Sequence, residues 1–512
     1  MGCYNADVAS DSSLAQMYKW ITECHSTHTL CQQTPLDFRP RRLLQLDFSK
    51  DNSSIRLVEN FQGRQIQWAA LSYVWGGEQS FKTTLHSLPD MERGFRAEVL
   101  PQTLQDAVRV CKAMSLHYLW VDSLCIVQDD FEELPHELAS MPLIYQRAWV
   151  TISASTAACV SDGFLQNRCY SHWGGCPNTR VPISLPYLAE DGFGTGKIVF
   201  VHASDACSSK AEPINERAWT YQERTLSPRV LDFRYNQVVL CCYTNTRCQG
   251  QGSDLSWRSL SYTNYPQSNL LDRSCLTSQN LPDWHEIVNA YATRKSSLPS
   301  DKLTALSALA DIYRRHTGHT YCAGLWKEAL LQDLCWRNPG ENLLPRPKAY
   351  RAPSFSWAAI DANAHGKTKT YHRSRHGYNA RTEILGVAIE QEHPNTTYGK
   401  ILGGSLTLKA PILWINWKYD ECAVTNITTK YWGVLSFIRD AKEDDWLIGD
   451  NVRLLAVSLW GTHYEYMGTF LEWVARGLML VEASNGMFRR IGVFDGETAI
   501  KYEFAKQTVT II

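Results

Sequence analysis

The stretch that decides the fold is AALSYVWGG, residues 69–77. Its first half, Ala69, Ala70 and Leu71, is the continuous apolar run of a strand whose sheet is covered on both faces. The run then breaks at Ser72 and Tyr73, and Trp75 stands against Gly76 and Gly77. A buried strand has no structural need of that ending. In an open parallel sheet, however, the carboxyl ends of the strands form the crevice where ligands bind.

The pattern continues outward from this strand. LPQTLQDAVRVCKAMSL (100–116) puts Leu104, Ala107, Val108, Cys111 and Met114 at helical spacing, with Thr103 as the expected cap. HYLWVDSLCIV (117–127) reads as a second strand and WVTISAS (149–155) as a third; between them DDFEELPHELASMPLIYQRA (129–148) reads as a helix with an acidic first turn. Strand, helix, strand, helix, strand predicts an α/β fold with a parallel sheet flanked by helices. Residues 156–212 read as an insertion rich in Gly, Pro, Ser and Cys, with one strand in GKIVFVHAS (196–204). The rhythm resumes in ERAWTYQERTLSPRVLDFRYNQVVLCCY (216–243), a short helix stopped by Pro228 and then a strand or hairpin. The chain divides on this reading into a helical lead-in (1–60), the α/β domain (61–240), a helical region (241–350) and a β-rich carboxyl-terminal region (351–512). In the last, Asn485 and Gly486 supply the backbone angles of a tight hairpin.

At 512 residues the chain is too long for one hydrophobic core. Its 51 basic and 52 acidic side chains nearly cancel, so it has no electrostatic footprint for nucleic acid. No apolar run reaches the roughly 18 residues of a membrane span, and no secretion signal opens the chain. The 16 cysteines then read as reduced thiols, which predicts a cytoplasmic protein.

Several motifs fail on inspection. DGFGTGKI (191–198) has Asp191 where a phosphate loop needs glycine and Ile198 where it needs Ser or Thr. WHEIV (284–288) lacks the second histidine of a zinc protease, and no Gly-x-Ser-x-Gly elbow occurs. CHSTHTLC (24–31) spaces Cys24, His28 and Cys31 much as zinc ligands are spaced, with Cys3 or His25 as the nearby fourth group; zinc is a side reading here, and reduced thiols with a helix-end histidine is the preferred one. No metal is assigned on this basis.

The strand ends gather the informative residues. Ser72, Tyr73, Trp75, Asp122, Ser123, Asp129 and Ser153 would share one rim of the sheet although they are far apart in sequence. RAWTYQERTLSPR (217–229) adds Trp219 and Glu223, four apart and so on one helix face.

These residues also carry a resemblance. AALSYVWGG, LPQTLQDAV, YLWVDSLCIVQDD, MPLIYQRAWVTISAS, the Gly163–Phe164 pair and RAWTYQERTLSPRVLDF resemble, in order, the blocks of the fungal heterokaryon incompatibility (HET) domain, over about residues 65–240. DKLTALSALA, YCAGLWKEALLQDLCW and RAPSFSWAAID are similar to the region that often follows it, and the lead-in cysteines and PRRLLQLD to what precedes it. The resemblance implies a filamentous-fungal protein of non-self recognition, in which incompatible fusion triggers growth arrest and cell death. It further implies a remote relation to Toll/interleukin-receptor (TIR) domains, whose Trp-Cys-x-x-Glu helix has the spacing of WTYQE. In NAD-cleaving members of that superfamily the helix glutamate is catalytic, a role that falls here on Glu223. In one respect the chain departs from the family. An acidic residue often follows the cysteine of the last strand, whereas Cys241 and Cys242 run into YTNTRCQGQG.

Two functions follow as expectations. The first is hydrolysis of the bond between ribose and nicotinamide in NAD, which is then substrate and not cofactor. Glu223 would stabilise the positive ribose, Tyr73, Trp75 or Trp219 would stack, and Gly76 and Gly77 would admit the pyrophosphate; Ser72, Asp122 and Ser123 complete the site. The second is a non-catalytic module acting by self-association or through a protein partner, supported by the 18 tryptophans. An accessory protein of a biosynthetic gene cluster is a third class on which the residues are silent.

Overall fold

In this computed structural model the described residues are 7–32, 38–49, 54–59, 66–167, 183–188, 195–200, 212–235, 237–248, 283–338, 343–361, 382–392, 398–415, 426–428, 434–442, 444, 452–464, 470–498 and 505–512. The chain forms two units, residues 1–280 and 281–512.

The first unit contains, in order, α1 (Asp11–Thr27), β1 (Arg42–Asp47), β2 (Ser54–Glu59), β3 (Ala69–Ser72), α2 (Leu88–Arg93), β4 (Phe95–Arg96), α3 (Gln102–Ala113), β5 (Tyr118–Trp120), α4 (Asp122–Cys125), α5 (Leu134–Arg147), β6 (Val150–Ser153), β7 (Ile183–Leu188), β8 (Thr195–Phe200), α6 (Trp219–Leu226), β9 (Arg229–Phe233), β10 (Val238–Cys242) and β11 (Thr246–Cys248). Four strands run parallel in the order β5-β3-β6-β9, with β3 and β6 in register from Ala69↔Val150 to Ser72↔Ser153. Antiparallel pairings add β1, β2 and β4 on one flank and β10 and β11 on the other. Every residue of β3, β6 and β9 is buried, the outcome that an apolar run covered on both faces requires.

The helices bury the stripes their spacing announces. In α3, Leu104, Ala107, Val108 and Cys111 are buried, as is Met114 just beyond it. At roughly 1.5–3 kcal/mol for each large side chain, that stripe holds the helix to the sheet far more strongly than intrinsic propensity does. From β3 the chain winds through α3 to β5 on one side, then through α5 to β6 on the other. The winding therefore reverses between β3 and β6, which opens a crevice at their carboxyl ends.

Local chemistry moved several boundaries. Thr103 is not a cap: α3 starts at Gln102 after Pro101, and Thr103 Oγ1 lies 3.3 Å from Cys159 O and accepts Gly163 N at 3.1 Å. The second strand ends at Trp120, because Cys125 N donates to Val121 O and Ile126 N to Asp122 O, which closes the helical turn α4. The second helix begins at Leu134, after a turn in which Asp130 Oδ1 accepts Glu132 N and Glu133 N. The expected single strand of the insertion, β8, pairs with β7, a partner whose ISLPYL sequence contains a proline and showed no clean strand signal. Residues 191–194 of the rejected phosphate loop lie outside the described residues, while Thr195–Ile198 belong to β8. β1 and β2 of the lead-in join the main sheet, and Arg42 ties β1 to Glu133 through two hydrogen bonds of 2.5 and 2.9 Å.

In the second unit, helices span Trp284–Tyr291, Asp301–Thr304, Ser307–Thr317 and Leu330–Asp333. YCAGLW (321–326), within the region expected to be helical, instead makes a two-stranded turn with Ala323 and Gly324 at positive φ. The β-rich region is as expected, and Asn485 (φ 50°) and Gly486 (φ 72°) turn its hairpin. Five of its strands, Ile401–Ile415, Val452–Tyr464, Phe470–Ser484, Met487–Thr498 and Ala505–Ile511, pair in a closed circuit that leaves no edge among them. No helix among the described residues is long and apolar enough to cross a membrane.

Candidate functional site

Glu223 lies in the middle of α6, and the sequence fixes that helix from both sides. Arg224 turns one way, donating to Asn215 Oδ1 at 2.8 Å and to Asp232 Oδ2 of β9 at 2.7 Å, an ion pair shut off from solvent. Burial alone would raise the Asp232 carboxyl, but Arg224 and Arg234 together hold it at about 2. The helix end is closed by Ser227 Oγ, which donates to Glu223 O at 2.7 Å, and by Tyr243 Oη, which donates to Leu226 O at 2.5 Å.

Glu223 turns the other way, to the end of β3. Ser72 Oγ donates to its Oε2 at 2.6 Å, and only 6 % of the residue is exposed. Among the described residues Glu223 forms no salt bridge. Burial raises its carboxyl to about 7 against the lowering by the Ser72 hydrogen bond; Asp122 raises it further, while Arg217 and Tyr145 pull it down. A carboxyl poised near neutrality, at the reversal point of a parallel sheet, is how general acids, bases and charge stabilisers are commonly prepared.

The second carboxylate belongs to Asp122, in the first turn of α4. Trp75 Nε1 donates to its Oδ2 at 2.8 Å and Ser123 N to its Oδ1 at 2.7 Å. Burial raises this group too, opposed by Arg217 and by the Trp75 hydrogen bond. Arg217 Nη1 donates to Tyr73 O at 2.9 Å, so one guanidinium sits at the end of β3 within electrostatic reach of both acids. Tyr73 Oη donates to Ser123 Oγ at 2.9 Å and accepts Gln79 Nε2 at 3.2 Å; Gln79 Oε1 is buried with no hydrogen-bond partner among the described residues. The network thus keeps an unused acceptor.

The sequence-derived residues divide accordingly. Ser72 and Glu223 form one bonded pair and Tyr73, Trp75, Asp122 and Ser123 a second bonded set; the two meet at the end of β3, where Asp122 acts on Glu223 through charge. Trp219 is half-buried against the main core on the α6 face it shares with Glu223. At Gly76 (φ 78°) a side chain would overlap Cys159, whose Cβ lies 2.0 Å from where it would begin, so that close approach is made by the chain itself. Gly77 (φ 139°) faces open space. Asp129 does not join the group: it accepts Leu85 N at 2.7 Å and holds a turn. Ser153 lies opposite Ser72 in register and bonds to Ser155 at 3.0 Å, towards Asp232 rather than Glu223.

Two contributors had no assigned role in the sequence. Arg217 stood in the quoted segment, but only the fold reveals that it faces two acids. Tyr145 donates to Leu71 O at 2.9 Å and lies beside Glu223; its helical position in LIYQR was the sole available signal. Elsewhere, Cys24, His28 and Cys31 meet Cys242 of β10, with their ligand atoms within 4.8 Å of one another. His25, one of the two fourth groups considered, is instead 3.4 Å from Arg229 Nη2, and Cys3, the other, lies outside the described residues.

No curated protein and no solved structure matches the chain. Residues 68–223 match the family model described as heterokaryon incompatibility protein (HET), so the stretch from Trp68 to Glu223 that builds this site is a HET domain.

Proposed function

We propose that the chain acts in heterokaryon incompatibility by hydrolysing NAD between ribose and nicotinamide, and that loss of NAD arrests growth and kills the cell. The observation that carries this reading is the Glu223 carboxyl, bonded to Ser72 at the end of β3 and titrating near 7. The remote similarity of WTYQE to the glutamate helix of NAD-cleaving TIR domains supports the same assignment.

The chemistry asks little else of the protein. Nicotinamide leaves with the electron pair of its C–N bond and departs neutral, while positive charge grows on the ribose. Ionised Glu223 stabilises that charge and accepts a ribose hydroxyl; water adds to the anomeric carbon and its proton passes to solvent, leaving ADP-ribose. Arg217 keeps both carboxyls from titrating still higher, and Trp75, held by Asp122, provides a ring for stacking.

The association reading rested on tryptophan abundance. Among the described residues no tryptophan side chain is exposed, and Trp120, Trp284, Trp326 and Trp336 are completely buried, which removes the exposed aromatic surface that this reading relied on. Expressing the full chain and its Glu223→Gln variant in a filamentous fungus separates the readings. The proposal expects NAD to fall before growth stops with the wild type alone. Arrest by both proteins at unchanged NAD would overturn it in favour of a non-catalytic module.

A further inference from the structure

The quartet outside the HET-matched residues has the composition of a closed zinc site. Cys24 lies in the last turns of α1, and His28 caps that helix, its N–H donating to Cys24 O at 3.1 Å. A single 3-10 turn, Thr29–Cys31, then swings Cys31 back beside them. The fourth member comes from the far end of the unit: Cys242 is the last residue of β10, and its Sγ is 3.4 Å from His28 Nδ1. Three thiols and one imidazole within 4.8 Å of one another match a tetrahedron with metal bonds of about 2.0–2.3 Å.

The surroundings are those of a thiolate cluster. Thr244 N and Asn245 N, in the turn after β10, both aim at Cys242 Sγ, at 3.4 and 3.3 Å. Thr244 Oγ1 lies 3.6 Å from Cys31 Sγ. Three thiolates around one divalent ion leave a net negative charge, and Arg229 stands alongside with its Nη2 donating to Cys31 O at 3.0 Å. Cys24, Cys31 and Cys242 are buried and His28 partly so.

We propose that Cys24, His28, Cys31 and Cys242 bind one zinc ion, a structural site that pins α1 to the β10–β11 hairpin. Four protein ligands leave no open position for catalysis. The ion fastens the amino-terminal helix to the strand whose next residue, Tyr243, holds the end of α6, so the staple lies one residue from the support of Glu223.

The test is metal analysis of the full chain purified without chelator, followed by cobalt substitution. The proposal expects one zinc per chain, retained in His25→Ala and lost in Cys242→Ser and His28→Ala. Because those two variants could fail to fold, the wild-type chain stripped of metal and titrated with Co²⁺ gives an independent answer. It should take up one equivalent with the visible bands of tetrahedral cobalt and thiolate-to-cobalt charge transfer. Purified wild type without zinc that also stays colourless with Co²⁺, an intact zinc content in Cys242→Ser, or a disulfide among the three cysteines in protein isolated from the cytosol would overturn it.

Discussion

Glu223 occupies a position that costs stability. Its carboxyl ordinarily titrates near 4.5, and burial in the fold raises it to about 7. The folded state therefore favours the protonated form: its contribution to stability is complete below about pH 4.5 and is lost as pH rises through 7. Glu223→Gln keeps the shape and an acceptor for Ser72 but cannot ionise. It should stabilise the protein at pH 8 by on the order of 3 kcal/mol, with the difference vanishing near pH 4.5, as read by urea denaturation across that range. Equal stabilities at pH 8 would mean the carboxyl is not desolvated. Ser72 works in the opposite direction, since its hydrogen bond lowers the Glu223 carboxyl. Ser72→Ala should move the rising limb of the pH–rate profile to higher pH while weakening the fold by about 1 kcal/mol; a rate that falls with no shift of the limb would assign Ser72 another role.

At the scale of elements, the crevice is shaped by a clasp between α3 and the loop after β6. Asp106 Oδ2 accepts Phe164 N at 2.7 Å and Leu165 N at 3.1 Å, and Thr103 N donates to Val160 O at 2.9 Å. Gly163 makes the clasp possible. It sits at φ 72°, and a side chain there would begin 2.7 Å from both Asp106 Oδ2 and Gln102 Cγ. LPQTLQDAV and the Gly163–Phe164 pair, separate blocks of the HET resemblance, thus meet as one interaction. Asp106→Ala should cost about 2–3 kcal/mol by leaving two buried amides unpaired. Gly163→Ala should cost at least about 1 kcal/mol from backbone strain alone. Equilibrium unfolding of each variant checks both values.

Across the whole molecule, what the sequence revealed depended on the distance over which the chemistry acts. Periodicity exposed the parallel strands, α3 and the Asn485–Gly486 hairpin, because each is set by residues within a few positions of one another. It missed α4, where a local turn at Asp122 overrides an apolar run that reads as strand. It also missed β7, whose proline hides the pattern. In the candidate site, strand ends and the WTYQE spacing indicated Ser72, Asp122 and Glu223 individually. The Ser72–Glu223 bond spans 151 positions and the His28–Cys242 approach 214, and no local signal encodes either. Asp129 misled because an acid after a strand serves a turn as readily as a crevice.

The central claim is that the HET domain uses the Glu223 carboxylate to split NAD. Nicotinamide release by the purified full chain, measured at pH 8 where Glu223 is ionised, tests it most directly. The account predicts release by the wild type with ADP-ribose in equal amount, and a loss of about 100-fold or more in Glu223→Gln. Release at the same rate by both proteins, or none above the spontaneous rate from a folded wild type, would contradict it.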